Sequence, residues 1–160
     1  MRLSEGVEWG LHCCLAIAWA DDGNPVSTSK LATLYGLPKP YLAKHLRALV
    51  DGDVLVAVPG ARGGFRLSRP AREITFMDVV SAIDGRTDAF RCTEVRAQGV
   101  AAAAPDAPEL RRPCGIATVM RKAELAWRRE LAARTLADLI ATTPKVTADR
   151  TRRAYQRLST

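Results

Sequence analysis

The chain has 160 residues, 48% hydrophobic and 26% charged, enough for one packed core with an appended element. Its longest apolar run, residues 13–20, is too short to span a bilayer, and no charged-then-apolar leader opens it, so a cytoplasmic protein with no membrane partner is expected. Basic residues outnumber acidic ones by 24 to 17, a net charge of +7, which favours an anionic partner, nucleic acid first; four cysteines in such a chain point to ligands, reactive thiols or core residues rather than disulfides.

Residues 4–20 form the first expected helix. Val7, Leu11, Leu15 and Ala18 recur at helical spacing, and DDGNP stops it. Glu8 and His12 stand four apart on one face. Cys13 and Cys14 are turned from His12 by about 100° and 200°, so both cannot join that face. Cys14 falls on the apolar stripe, where a free cysteine packs as a small hydrophobe, and Cys13 is read the same way. For Glu8 and His12 alone, a helical ion pair remains the simple alternative to a ligand pair.

The stretch VSTSKLATLYGLPKPYLAKHLRALVDGDVL reads as two short helices across Gly36. Ser27 or Thr28 caps the first, with Leu31 and Leu34 inward; Pro38 and Pro40 fit only the first turn of the second, whose stripe is Leu42, Leu46 and Leu49. This is a helix-turn-helix. Its second helix leaves Lys39, Tyr41, Lys44 and Arg47 on outward faces, able to reach phosphates and base edges in a major groove. Ser27 and Thr28 complete the candidate contacts at the start of the first helix. His45 lies at the boundary between faces and is read as a packing residue.

Residues 54–58 and 65–69 alternate as strands across the flexible turn PGARGG, a hairpin that makes a wing. Arg62 at its tip suits a narrow minor groove. The alternative is a winged helix whose charges are merely solvated and whose partner is a protein. ITFMDVVSAIDG then gives a helix with Thr75 as cap, Asp78 three residues on and Gly85 as stop, closing a DNA-binding domain at residues 1–85.

Periodicity fails over residues 86–113, although TEVRAQ is compatible with one helical turn. A connection this long is usually functional or mobile, and Cys92 and Cys114 bracket it. Residues 114–142 read as one long helix: Ile116, Val119, Met120, Ala123, Trp127 and Leu131 form a stripe continued by Leu136, Leu139 and Ile140, suited to a partner subunit. Residues 143–160 read as a basic tail, helical at most around RRAYQRL. The expected fold is thus mainly α with a small β-hairpin wing, a winged helix-turn-helix followed by a long C-terminal dimerisation helix. No nucleophile and base are paired, and no enzyme is expected.

The runs MRLSEGVEWGLHCC, LATLYGLPKPYLAKHLRALVDGDVL, VPGARGGFRLSRP and EITFMDVVSAIDG followed by FRCTEVRAQG resemble the iron-sulfur winged-helix regulators typified by IscR and NsrR, over residues 1–142. Three closely spaced cysteines usually follow the DG helix in that family; here only Cys92 does. VEW.LHCC and F.CTE.R..G resemble the redox-sensing RsrR branch instead. That resemblance implies a 2Fe-2S cluster, one per subunit, held by Glu8, His12, Cys92 and Cys114. It also implies a homodimer in which the cluster bridges subunits, and a double-stranded DNA operator whose affinity follows the redox state. A winged helix with zinc or with no metal is the alternative, because zinc also accepts Cys, His and Glu.

Overall fold

The computed structural model describes residues 3–20 and 24–158; three residues of the expected DDGNP stop, 21–23, lie outside them. Helix α1, Glu5–Trp19, is followed by α2, Thr28–Tyr35, and α3, Lys39–Asp51, then by strands β1, Leu55–Val58, and β2, Gly64–Leu67. After the wing come α4, Phe76–Asp84, then α5, Gly115–Ala132, α6, Leu136–Thr142, and α7, Lys145–Arg157, with short 3-10 turns between. The described chain is mostly helical with one two-stranded antiparallel hairpin, in the register Leu55 opposite Leu67 through Val58 opposite Gly64. Its described residues divide into two compact units, one of residues 87–130 and one of those before 87 together with those after 130.

In the larger unit, local signals and packing agree. Ser27 Oγ accepts the Lys30 N–H at 3.3 Å to cap α2, and Gly36 ends it in the left-handed conformation at φ 64°, a geometry that costs glycine little. Leu31, Leu42, Leu46 and Leu49 are fully buried together with Ile74, Val79 and Leu55, so the two helices share one core with the wing and α4. The wing is tied down at both ends. Val26 and Phe65 exchange backbone hydrogen bonds of 2.9 Å, while Arg69 donates to the Asp53 carbonyl, to the Glu73 carbonyl at 2.9 Å and to Asp78 at 3.0 Å. The same Asp78 completes a capping box with Thr75 at the start of α4.

Two expectations for the C-terminal region are corrected. The single helix over 114–142 is two: α5 stops at Ala132 and α6 begins at Leu136. Thr135 and Asp138 form a second capping box, Leu136 donates its N–H to the Ile74 carbonyl, and the Phe76 N–H reaches the Arg134 carbonyl, both at 2.9 Å. Leu136 is thereby fully buried in the core of the larger unit, so the stripe ends with α5. The tail is not loose either. Residues 145–157 form α7, which packs on α1 and α2 with Tyr155 buried.

Candidate nucleic-acid interface and metal centre

The reading surface is built on α3. Its stripe of Leu42, Leu46 and Leu49 anchors it, leaving Lys39, Tyr41, Lys44 and Arg47 exposed, with Tyr41 at 66%. Arg47 is held by Asp51 one turn on, at 3.0 Å, an exposed pair that a phosphate can compete for because such pairs are weak. Ser27 and Thr28 are half-buried at the start of α2, and Ser27 is engaged as the cap. Arg62 is exposed at the wing tip, where Gly60 adopts φ 106° and accepts the Gly63 N–H at 2.9 Å. The exposed Arg66 on β2 adds a second cation to the wing. The sequence reading missed it, although alternation from the half-buried Phe65 and Leu67 marks it as outward-facing.

The four cysteines separate by burial. Cys13 and Cys14 are both fully buried in the core. Burial pushes the Cys13 thiol up to about 12 and raises that of Cys14 further, with the Cys13 charge adding to it, so both stay protonated and make poor metal ligands. Glu8 and His12 are exposed on the same face of α1. Around them the helix is held to both helices of the reading motif. The Tyr35 hydroxyl on α2 donates to the His12 carbonyl at 3.0 Å, the Tyr35 ring lies 5.6 Å from the His12 ring, and Trp9 meets His45 of α3 edge-on at 5.7 Å. Burial raises the Tyr35 phenol, which keeps it a donor. Gly6 makes the α1–α3 approach close: a Cβ there would lie 2.3 Å from His45 Cε1. An apolar groove of about 380 Å³ opens beside the ligand face, lined by Glu8, His12, Leu15, Tyr35, Leu139 and Thr151 among others.

In the smaller unit, Arg96 organises the loop. Its guanidinium takes both carboxylate oxygens of Glu94, at 2.6 and 3.0 Å, and donates to the carbonyls of Glu109 at 2.9 Å and Arg112 at 3.0 Å. It also interacts electrostatically with both Cys92 and Cys114. Cys114 sits just before α5, where the backbone N–H groups of Ala117 and Ile116 hold its thiol below the ordinary value, with Arg96 adding to the effect. Cys92 is exposed beside a cavity of about 460 Å³ lined by Phe90, Ala117, Arg121 and Glu124. The two available thiols thus lie at the two ends of a loop that Arg96 closes by side chain to backbone bonds. Arg96 is part of the F.CTE.R..G run, but its bracing role is not read from the sequence, because two of its three partners are carbonyls.

Glu8 and His12 belong to the larger unit and Cys92 and Cys114 to the smaller. Among the described residues no three His, Cys, Asp or Glu side chains gather as a ligand group. The donor chemistry nevertheless fits an iron-sulfur centre: two thiols outside the core, with an imidazole and a carboxylate one turn apart, and the other two thiols withdrawn into the core.

A helix-turn-helix with an exposed basic reading helix and an arginine-tipped wing defines a winged-helix DNA-binding protein. The chain belongs to the Rrf2 family, whose model, described as an iron-dependent transcriptional regulator, matches residues 3–142. It is 35% identical over 91 residues to YffB of Lactococcus lactis subsp. lactis, designated an HTH-type transcriptional regulator; the match covers 57% of this chain and 58% of that protein. The chain thus spans little more than half the length of that curated relative. Its fold is shared with CymR (YrzC), the global cysteine regulator of B. subtilis, at a TM-score of 0.66, 22% identity and coverage of 90% of this chain and 99% of the other. T. potens IscR matches at a TM-score of 0.62 and 20% identity, covering 91% and 90%. No helix among the described residues of this chain is long and apolar enough to cross a membrane.

Proposed function

We propose that this regulator works as a homodimer whose operator affinity follows the redox state of a 2Fe-2S cluster held by Glu8, His12, Cys92 and Cys114, as in the RsrR branch it resembles. The observation that carries this reading is the sorting of the cysteines. Cys92 and Cys114 are accessible, and Cys114 is biased towards thiolate, whereas Cys13 and Cys14 are locked in the core as thiols. The family description as iron-dependent supports it further.

When bound, the cluster supplies one-electron chemistry, and ligation by a neutral imidazole in place of a thiolate favours a higher potential. The chain supplies the rest. Glu8 and His12 would present one ligand pair from α1, and Arg96 braces the loop that carries the thiol pair. In the dimer, α1 of one protomer covers the cysteine loop of its partner, paired through the α5 stripe of Ile116, Val119 and Met120, which are 68%, 65% and 41% exposed in the single chain. A shift of Glu8 or His12 then bears on both helices of the reading motif, through Tyr35 on α2 and through Trp9 and His45 on α3. The DNA contacts assigned to this readout are Lys39, Tyr41, Lys44 and Arg47 in the major groove, Ser27 and Thr28 at the backbone, and Arg62 with Arg66 on the wing.

The test is iron content and visible absorption of protein purified without oxygen. Glu8→Ala, His12→Ala, Cys92→Ala and Cys114→Ala lose or alter the absorption, while Cys13→Ala and Cys14→Ala keep it. A colourless wild-type protein, or one that binds zinc in place of iron, contradicts the proposal, as does absorption that depends on Cys13 or Cys14.

A further inference from the structure

Helix α7 lies beyond residue 142, where the family match ends, and it is fastened to the reading motif. Arg152 Nε donates to the Trp19 carbonyl at the end of α1 at 3.2 Å, and the Tyr155 ring carries Lys30 Nζ 5.0 Å from its centroid. Lys30 belongs to the first turn of α2, the part of a helix-turn-helix that lies against the sugar-phosphate backbone while the second helix enters the groove. The C-terminal end of α7 is therefore fixed beside that contact line.

The helix is also the most one-sided in charge: five basic residues, Lys145, Arg150, Arg152, Arg153 and Arg157, against the single acid Asp149. Asp149 is taken up by Arg152 at 3.0 Å. Arg153 and Arg157, one turn apart and both exposed, have no carboxylate partner among the described residues. A face that serves only solubility usually mixes signs. This one presents two guanidinium groups on a helix already ordered by its docked side, so binding an anion there costs little extra ordering.

We propose that Arg153 and Arg157 form an additional phosphate-binding surface of this protein, extending its footprint along the operator duplex outside the half-site read by α3 and the wing. The occupant is double-helical DNA, argued from charge complementarity and from continuity with the reading motif through Lys30 and Tyr155. The contact is with phosphates and carries no base specificity.

Operator affinity is measured as a function of salt concentration for the wild-type protein, for Arg153→Ala/Arg157→Ala, and for a charge-matched control, Lys122→Ala/Arg129→Ala on α5, each shown to be folded by circular dichroism. Removing two phosphate contacts per protomer, four in the proposed dimer, lowers the slope of log K against log salt by about four. The ratio of operator to non-operator affinity stays the same, and the control keeps the wild-type slope. Hydroxyl-radical footprinting of the same double variant loses protection at the outer edges of the site. An unchanged slope and footprint, an equal fall in the control, or binding to anionic vesicles with no change on DNA would each overturn the assignment.

Discussion

Burial and local donors divide four chemically identical side chains into two classes. Cys13 and Cys14 have no water around them to stabilise a thiolate, so their pKa values rise, whereas the Ala117 and Ile116 N–H groups stabilise the Cys114 thiolate and lower its own. A lowered pKa means a larger thiolate fraction at neutral pH, and the thiolate is the nucleophile. In metal-free protein, iodoacetamide therefore modifies Cys114 near pH 7, and Cys13 and Cys14 only after denaturant is added; mass spectrometry of the digests reports each site. Arg96→Ala removes the cation and opens the loop, moving Cys114 alkylation to higher pH and lowering iron occupancy, while Arg96→Lys keeps the charge without the planar fork that matches Glu94 and two carbonyls. Helical rotation is enough to remove Cys14 from the ligand face in the sequence. Arg96 is visible there only as the arginine of F.CTE.R..G; its carbonyl partners at residues 109 and 112 leave no mark in residue identity.

Among the elements, the winged motif was legible throughout because each part carries its own local signal: a cap at Ser27, Gly36 as stop, prolines in the first turn of α3, glycines at the wing tip. The C-terminal helices were not. Leu136, Leu139 and Ile140 continue the apolar period of α5, and that continuity outweighed the cap written in Thr135 and Asp138, although the box ends one helix and starts another. Docking of Leu136 in the core then decides where α6 lies. Backbone and hydroxyl bonds from Thr135 hold Asp138 below its ordinary pKa. Its stabilising contribution is therefore complete above the unfolded pKa of about 3.9 and disappears as pH falls through the lower folded value. Acid unfolding monitored by circular dichroism shows a shallower loss over that interval for Asp138→Asn, which is also less stable at neutral pH. Helix α7 is hard to read for a different reason: a basic polar segment packs through one tyrosine, too little to register as an apolar stripe. The α5 stripe belongs at this scale as well. Burying Ile116 and Val119 across a dimer is worth about 1.5–3 kcal/mol per side chain. Ile116→Glu/Val119→Glu accordingly weakens self-association by at least about 100-fold, which sedimentation or light scattering detects as a monomer.

For the whole molecule, the division into two units sets the logic of the proposed switch. One unit carries the winged motif with Glu8 and His12; the other carries Cys92 and Cys114, the four ligands of the proposal. The family match describes an iron-dependent transcriptional regulator, and the proposed cluster is what would join sensing to reading. The most direct measurement is operator affinity of the anaerobically purified protein before and after stoichiometric dithionite, with the cluster's absorption recorded in the same samples. A change of at least about tenfold on reduction, equivalent to about 1.4 kcal/mol and abolished by His12→Ala, is the predicted result. Equal affinity in two states that the absorption shows to be oxidised and reduced would contradict the redox switch.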